Sequence, residues 1–309
     1  MSQIVAGVDS STQSVKVVLR DAESGALIAQ SSRPHPDGTE VDPQAWKVAL
    51  EGALSDISQH RIDAISVAGQ QHGMVALDRD GSVIRKALLW NDTRSSAEAD
   101  ELNREFPTIH KRTGSRLVAS FTATKVRWMS KHEPENARKV AAIALPHDWL
   151  SWQLSGSSDF STIFTDRSDA SGTGYFDPSS DQYCGDIFSF ALGSTESIHL
   201  PAIIKPGIIA SQTKTGIPMA CGAGDNAAAA LGVGAKVGDL VISLGTSGTA
   251  FAVSSTGTHD PSGEVAGFAD ATGNFLPLAC TLNAAKVFAT VATTLGLSFE
   301  DFKIGRAHV

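Results

Sequence analysis

Residues 4–19 read IVAGVDSSTQSVKVVL. Two apolar runs, at 4–8 and 15–19, flank a small, polar insert, Asp9-Ser10-Ser11-Thr12-Gln13-Ser14. Valine and isoleucine dominate the runs, so each reads as a strand and the insert as the turn between them. A second turn signal, Asp21-Ala22-Glu23-Ser24-Gly25, leads into a third run at 26–29. Three strands joined by tight turns are not the start of a Rossmann domain, which needs a helix after its first strand. The insert also has a chemistry of its own. Ser11, Thr12 and Gln13 offer hydroxyl and amide groups that can surround phosphate oxygens, and Asp9 can hold a hydrated magnesium ion. An ordinary polar hairpin turn accounts for the same residues equally well.

The pattern recurs late in the chain. Apolar runs at 240–244 and 249–253 flank Gly245-Thr246-Ser247-Gly248, whose glycines allow close backbone approach to a ligand. Either turn alone is a weak signal. A strand–polar loop–strand device opening each of two domains is much stronger. Between them lies Gly222-Ala223-Gly224-Asp225-Asn226-Ala227, which follows a short strand at 219–222 and opens a helix at 227–235. It satisfies the GxGxxA pattern of dinucleotide sites, which expects an acid about 20 residues on, at the end of the next strand. Asp239 is the nearest, and it precedes a strand. The alternative is that Asp225 and Asn226 project from a helix start into a cleft. Gln70-Gln71-His72-Gly73 and Trp90-Asn91-Asp92-Thr93-Arg94, each after an apolar strand, cluster polar groups that suit a polyhydroxylated ligand.

Elsewhere, Asp42 and Pro43 cap and start a helix with Trp46, Ala49, Leu50, Ala53, Leu54 and Ile57 at helical spacing. Helices are expected at 95–106, 122–131, 147–154 and 281–296, and strands at 62–68, 74–77 and 140–145. The Ser/Gly/Asp-rich stretch 155–174 reads as loop or irregular strand. With 25 Lys+Arg against 33 Asp+Glu, the net charge is −8. Such a chain lacks the basic field that drives nonspecific nucleic-acid or anionic-membrane binding. Hydrophobic residues at 42% support a large core and argue against disorder. No apolar run is long enough to span a membrane, and the N-terminus has no signal-peptide pattern. Cys184, Cys221 and Cys280 show neither disulfide nor zinc spacing. A soluble protein of a reducing, cytoplasmic compartment is expected.

Taken in order, GVDSSTQSVKVVL, GQQHG, LLWNDTR, LPHDWLSWQLSG and CGAGDNAAAALGVGAKVGDLVISLGTSGTAFAV resemble the FGGY family of sugar kinases from about residue 4 to about residue 297. The resemblance implies an α/β, actin-like, hexokinase-like (ribonuclease H-like) mixed-sheet domain at 1–237. The beginning of a second similar domain follows at 238–309, with ATP and sugar in the cleft between the two. It implies ATP-dependent phosphorylation of D-xylulose, with ribulose, glycerol or another polyol as alternative acceptors. Asp225 matches the family's catalytic aspartate, and Asp9 the position that holds Mg2+. Ser11, Thr12 and Gln13 match the first phosphate loop, and Gly245, Thr246 and Ser247 the second. Gln71 and His72 match a sugar-contacting pair, with Trp90 and Asn226 beside the sugar. Ser10-Ser11 replaces the commoner Gly-Thr of the first loop. At a helix N-terminus, Asp225 is expected to have a lowered pKa. Family members run longer at the C-terminus, so an N-terminal portion is expected, prone to self-association or homodimer formation, with residues 303–309 matching nothing. A non-catalytic sugar-binding module and an NAD(P)-binding enzyme are the other readings.

Overall fold

The computed structural model describes residues 2–244, 248–281 and 284–298. The N-terminal meander forms as its patterning predicts. Strands β1 (Ile4–Ser10), β2 (Ser14–Asp21) and β3 (Leu27–Pro34) pair antiparallel in chain order. Helix α1 (Pro43–Asp56) follows, with Asp42 accepting from Gln44 N at 3.0 Å and Pro43 at the first helical position. The chain then returns through β4 (Ala64–Gly69), parallel to β1.

The longer helices that come next are α2 (Ser96–Glu105), α3 (Thr122–His132) and α4 (Pro146–Ser155). The stretch 155–174, read from sequence as loop, is instead mostly buried structure. It contains β5 (Phe164–Asp166) and the short helix α5 (Arg167–Ala170). Its order comes from polar capping, which apolar periodicity does not reveal: Asp166 accepts from the backbone N–H groups of Ser168 and Asp169. After α6 (Gly185–Leu192), strands β6 (Ile209–Gln212), β7 (Pro218–Ala220) and β8 (Ala223–Gly224) complete a seven-stranded mixed sheet. Its order is β6-β7-β4-β1-β2-β3, with β8 also paired to β4. Helix α7 (Asp225–Gly232) leads out of it.

A separate four-stranded antiparallel sheet then begins, with β9 (Leu240–Leu244), β10 (Gly248–Ala252), β11 (Ala266–Ala269) and β12 (Phe275–Thr281) in the order β9-β10-β12-β11. Helix α8 spans Ala285–Thr294, so Thr281, expected to begin a helix, ends a strand instead.

Two apolar cores result. In one, α1 and α4 cover a sheet face through Trp46, Leu50, Trp149 and Leu150, against Val15, Val17, Leu19 and Val67. Trp46 meets Trp149 edge-on with ring centroids 6.5 Å apart. Each such fully buried aliphatic side chain contributes about 1.5–3 kcal/mol relative to exposure. The other core runs from Met74, Leu88, Leu102, Val126 and Ile187 to Phe251, Phe268, Leu276 and Leu278 of the second sheet. The second sheet therefore shares a core with the helices that follow the first, and Ala223 of β8 joins it. Main chain also meets main chain there, where Gly267 N on β11 donates at 3.1 Å to Gly114 O, in the segment between α2 and α3. A Cβ on Gly114 would lie 2.2 Å from Gly267 O.

Candidate active site

Sheet register puts the two aspartates of the sequence reading beside each other. Asp9 pairs with Ala68 and Ala68 with Ala223, while Ser10, Gly69 and Gly224 form the next row. Asp9 is the penultimate residue of β1 and Asp225 starts the helix after Gly224, so the two stand on either side of β4, where Ala223 in the row of Asp9 lies two strand spacings, about 10 Å, away. Asn226 donates to Asp225 Oδ1 from its backbone N at 2.7 Å and from Nδ2 at 2.9 Å. Asn226 in turn accepts at Oδ1 from Thr249 Oγ1 on the second sheet, at 3.3 Å.

The pKa of Asp225 runs against the sequence expectation. Burial, joined by repulsion from Asp9, pushes it up to about 6 despite the opposing hydrogen bonds from Asn226. Desolvation and a like charge outweigh the helix terminus.

The first loop is held from two sides. Ser11 Oγ donates to Asp9 Oδ1 at 2.5 Å. Thr12 Oγ1 accepts from Trp90 Nε1 at 2.8 Å. Gln13 is exposed, and its carbonyl accepts from His35 N at 2.8 Å. His35, which the sequence reading passed over, also donates from Nδ1 to Ser11 O at 2.9 Å. An exposed carboxylate with hydroxyls beside it is an oxygen donor set that fits magnesium, which keeps several waters and takes one or two carboxylates with phosphate oxygens. Gly245, Thr246 and Ser247 lie outside the described residues. Their flanking strands pair as expected, Leu244 opposite Gly248.

On the sugar side of the sequence reading, Gln71 is buried and donates from Nε2 to Ser168 O at 3.0 Å. Its side chain lies so close that a Cβ on Gly224 would meet its Cγ at 2.8 Å. His72 has a φ of 70°, a left-handed conformation costly for a non-glycine residue, and its ring lies against Phe121 and Phe268. Its Nδ1 donates to Gly172 O at 2.6 Å. Burial, assisted by the positive charge of Lys125, lowers its pKa to about 4 against the Gly172 bond. The ring is therefore neutral near pH 7, with Nε2 the acceptor.

The polar run after Trp90 behaves differently from its sequence reading as a ligand cluster. Asp92 is buried, accepting from Thr39 Oγ1 at 2.8 Å and from Arg94, which also pairs with Glu40. These groups brace the loop. The sequence reading also missed Ser168, whose Oγ accepts from Gly224 N at 3.1 Å. The signal was there: Asp166-Arg167-Ser168-Asp169 is a run of helix-capping residues. The dinucleotide reading fails on topology. Helix α7 leads into β9 of the other sheet, whose ladders are all antiparallel, so no parallel βαβ unit forms. Among the described residues, no helix is long and apolar enough to cross a membrane.

The arrangement has known counterparts. Residues 4–232 match the N-terminal domain of the FGGY family of carbohydrate kinases. The chain is 45% identical to a xylulose kinase of Streptomyces coelicolor over 98% of its own length and 65% of that protein's. It is 33% identical to a xylulose kinase of Escherichia coli over 86% of this chain and 57% of the relative. The chain thus spans about two thirds or less of the length of these curated relatives. The crystal structure of a xylulose kinase from Bifidobacterium adolescentis superposes with a TM-score of 0.90 at 41% identity, covering 97% of this chain and 69% of that one. A Plasmodium falciparum glycerol kinase reaches 0.84 at 20% identity and shares the fold. The mixed sheet is that of the actin-like, hexokinase-like kinases. With Asp9 and the Ala223-Gly224 lead into Asp225 both aligned on β4 and the family pattern running from residue 4 to 232, the chain belongs to the FGGY family of carbohydrate kinases.

Proposed function

We propose that this chain carries the sugar-binding and base-bearing lobe of an ATP-dependent kinase converting D-xylulose to D-xylulose 5-phosphate. The domain division lies at 237/238. The observation that carries the reading is Asp225: a carboxylate in the cleft, fixed at Oδ1 by two donors from Asn226, with a pKa of about 6. A base so poised is ionised at neutral pH and can still accept a proton.

Asp225 takes the proton of the terminal sugar hydroxyl as that oxygen forms its bond to the γ-phosphorus. The bond from phosphorus to the β–γ bridging oxygen breaks, and ADP leaves with that electron pair. Phosphoryl transfer is chiefly positioning and charge neutralisation, so the base orients the hydroxyl more than it drives it. Asp9, with Ser11 beside it, would hold magnesium, which when bound neutralises charge on the transferring phosphate. Ser11, Thr12 and Gln13 line the phosphate side, and the family pattern assigns Gly245, Thr246 and Ser247 to the same role. Gln71, neutral His72, Trp90 and Asn226 face the sugar. The xylulose kinases at 45% and 41% identity support xylulose as acceptor over ribulose or glycerol.

The test is a coupled ADP-release assay across xylulose, ribulose and glycerol, with ligand binding measured in parallel. Phosphorylation of xylulose, lost in Asp225→Asn, is expected. Binding of xylulose with no turnover in the unaltered chain would favour the non-catalytic reading, which the exposed apolar row Leu240, Ile242 and Leu244 supports.

A further inference from the structure

His147 lies at the start of α4 with no solvent exposure. Its ring fills a slot made by two glycines. A Cβ on Gly69 would sit 2.7 Å from His147 Cβ, and one on Gly222 would sit 2.5 Å from Cδ2 and 2.6 Å from Nε2. Both ring nitrogens face acceptors. Nδ1 lies 2.7 Å from Asp169 Oδ2 and 2.9 Å from Asp148 Oδ1, and Nε2 lies 3.0 Å from Cys221 O. A carbonyl and a carboxylate cannot donate, and a neutral imidazole carries one N–H. With Asp169 ionised, one contact would then set lone pair against lone pair in a dry site, at the full cost of an unsatisfied buried group. Burial raises the Asp169 carboxyl to about 7, and a proton kept there would satisfy a neutral ring; an ionised Asp169 requires the imidazolium, which donates at both ends.

What this cation touches gives it a role. Cys221 lies four residues before Asp225, and Gly222 turns the chain there with a φ of 79°. The same segment is tethered again where Gly224 N donates to Ser168 Oγ, itself bonded to Asp166 Oδ2 at 2.6 Å. We infer that His147 is a positioning residue: a buried imidazolium, balanced by Asp148 and Asp169, that pins the main chain ahead of Asp225 through the Cys221 carbonyl. This rests on the reading of Asp225 as the base.

The titratable groups around the ring are Asp148, Asp169, Asp166 and Cys221. Burial alone would strip the proton from His147, but the adjoining carboxylates of Asp148 and Asp169 hold its pKa well above the ordinary histidine value. The same three side chains could in principle gather around a metal ion. The contacts are nevertheless at hydrogen-bonding length, and Nε2 is engaged as well. A misplacement of about 1 Å at a reacting group can cost about 10²-fold in rate, so a tether four residues from the base matters.

The test starts with the 309-residue chain labelled with 15N-histidine. One of its nine imidazoles should keep imidazolium nitrogen shifts at alkaline pH where the others have turned neutral, a signal absent from His147→Gln. A neutral tautomer for that residue at pH 7.5 would overturn the inference, as would a stoichiometric metal bound by His147, Asp148 and Asp169. Hydrogen exchange then reads the positioning itself. The Gly224 amide should exchange at least about tenfold faster in His147→Gln while α1 amides hold their rates; an unchanged Gly224 rate overturns the tether. In turnover, His147→Gln should lower kcat about tenfold or more with the sugar KM within about twofold. His147→Lys, which keeps a cation, should recover most of that loss. Should His147→Gln not fold, the imidazolium signal in the unaltered chain and the exchange rates of His147→Lys still decide. If Asp225→Asn keeps full turnover, the base reading falls while the shift and exchange results stand independently.

Discussion

Trp90 Nε1 donates to Thr12 Oγ1 at 2.8 Å, which ties the proposed sugar wall to the proposed phosphate loop through one hydrogen bond. The Thr12 hydroxyl also lies 3.5 Å from Gln70 Oε1. The two halves of the cleft are therefore coupled before any ligand arrives. Trp90→Phe keeps the ring and removes the donor, a loss of about 1 kcal/mol. We expect magnesium–ADP affinity to fall severalfold although Trp90 belongs to the sugar side. Calorimetric titration of both ligands checks this, and a change confined to the sugar would refute the coupling.

Asp225→Asn should lower turnover at least about 10²-fold, the low end for loss of a general base. It should also stabilise the fold at neutral pH. The carboxyl pKa is raised from 3.8 to about 6 in the folded chain, so between those values the folded state binds more protons than the unfolded. Stability then falls as pH rises through that window. The side chain is partly exposed, so the penalty is about 1–2 kcal/mol rather than the full shift. The melting temperature of Asp225→Asn should exceed that of the unaltered chain at pH 7.5 and match it below about pH 4. A lower value at pH 7.5 would show that the carboxylate stabilises the fold.

His72→Ala should weaken xylulose binding by about 1–3 kcal/mol with nucleotide affinity unchanged, the cost of leaving a buried polar partner unpaired. The ring is neutral, its pKa lowered to about 4, so any pH step in sugar affinity between about pH 5.5 and 8 should follow Asp225 and vanish in Asp225→Asn. As pH drops from the ordinary histidine value toward 4, the unfolded chain takes up the proton first, and stability declines. His72→Gln should flatten that acid limb in thermal melts. An affinity that rises on imidazole protonation contradicts the neutral acceptor role.

Gly114→Ala should destabilise the chain by about 3 kcal/mol, combining backbone overlap with a φ of 78°. Urea unfolding checks this. A loss under about 1 kcal/mol would mean that the Gly114–Gly267 contact yields easily.

Leu240, Ile242 and Leu244 are 63%, 63% and 62% exposed, and Val287 and Leu295 of α8 are exposed as well. Apolar surface of this extent favours self-association. Sedimentation velocity should show a concentration-dependent oligomer that Ile242→Lys weakens. A monomer at every concentration would count against it.

Much of the fold was legible because local chemistry and burial agree. β1 and β2 alternate or cluster apolar residues where the sheet buries them, and Asp42-Pro43 starts α1. Asp9 and Asp225 were legible because each stands among small polar residues at the end of a strand. The block around Asp166, Ser168 and Asp169 was not. It is buried, yet polar hydrogen bonds order it, and a strand-and-helix pattern search finds no period there. The pKa of Asp225 was misjudged for a related reason. A helix terminus is visible in sequence, but desolvation and the neighbouring charge of Asp9 exist only after folding. Nothing in the sequence singles out His147, because Asp169 and the Cys221 carbonyl lie 22 and 74 residues away.

The Gly114–Gly267 junction constrains how the second sheet can move against the segment between α2 and α3. Side chains at an interface can slide by changing rotamer, but peptide planes in contact have no such freedom. A joint of that kind acts as a pivot. Points near it barely travel, whereas the hairpin at Leu244 and Gly248, on strands β9 and β10 across the sheet from β11, sweeps the longest arc. A small angular change at two glycines, which carry no chemistry of their own, is thereby magnified at Leu244 and Gly248.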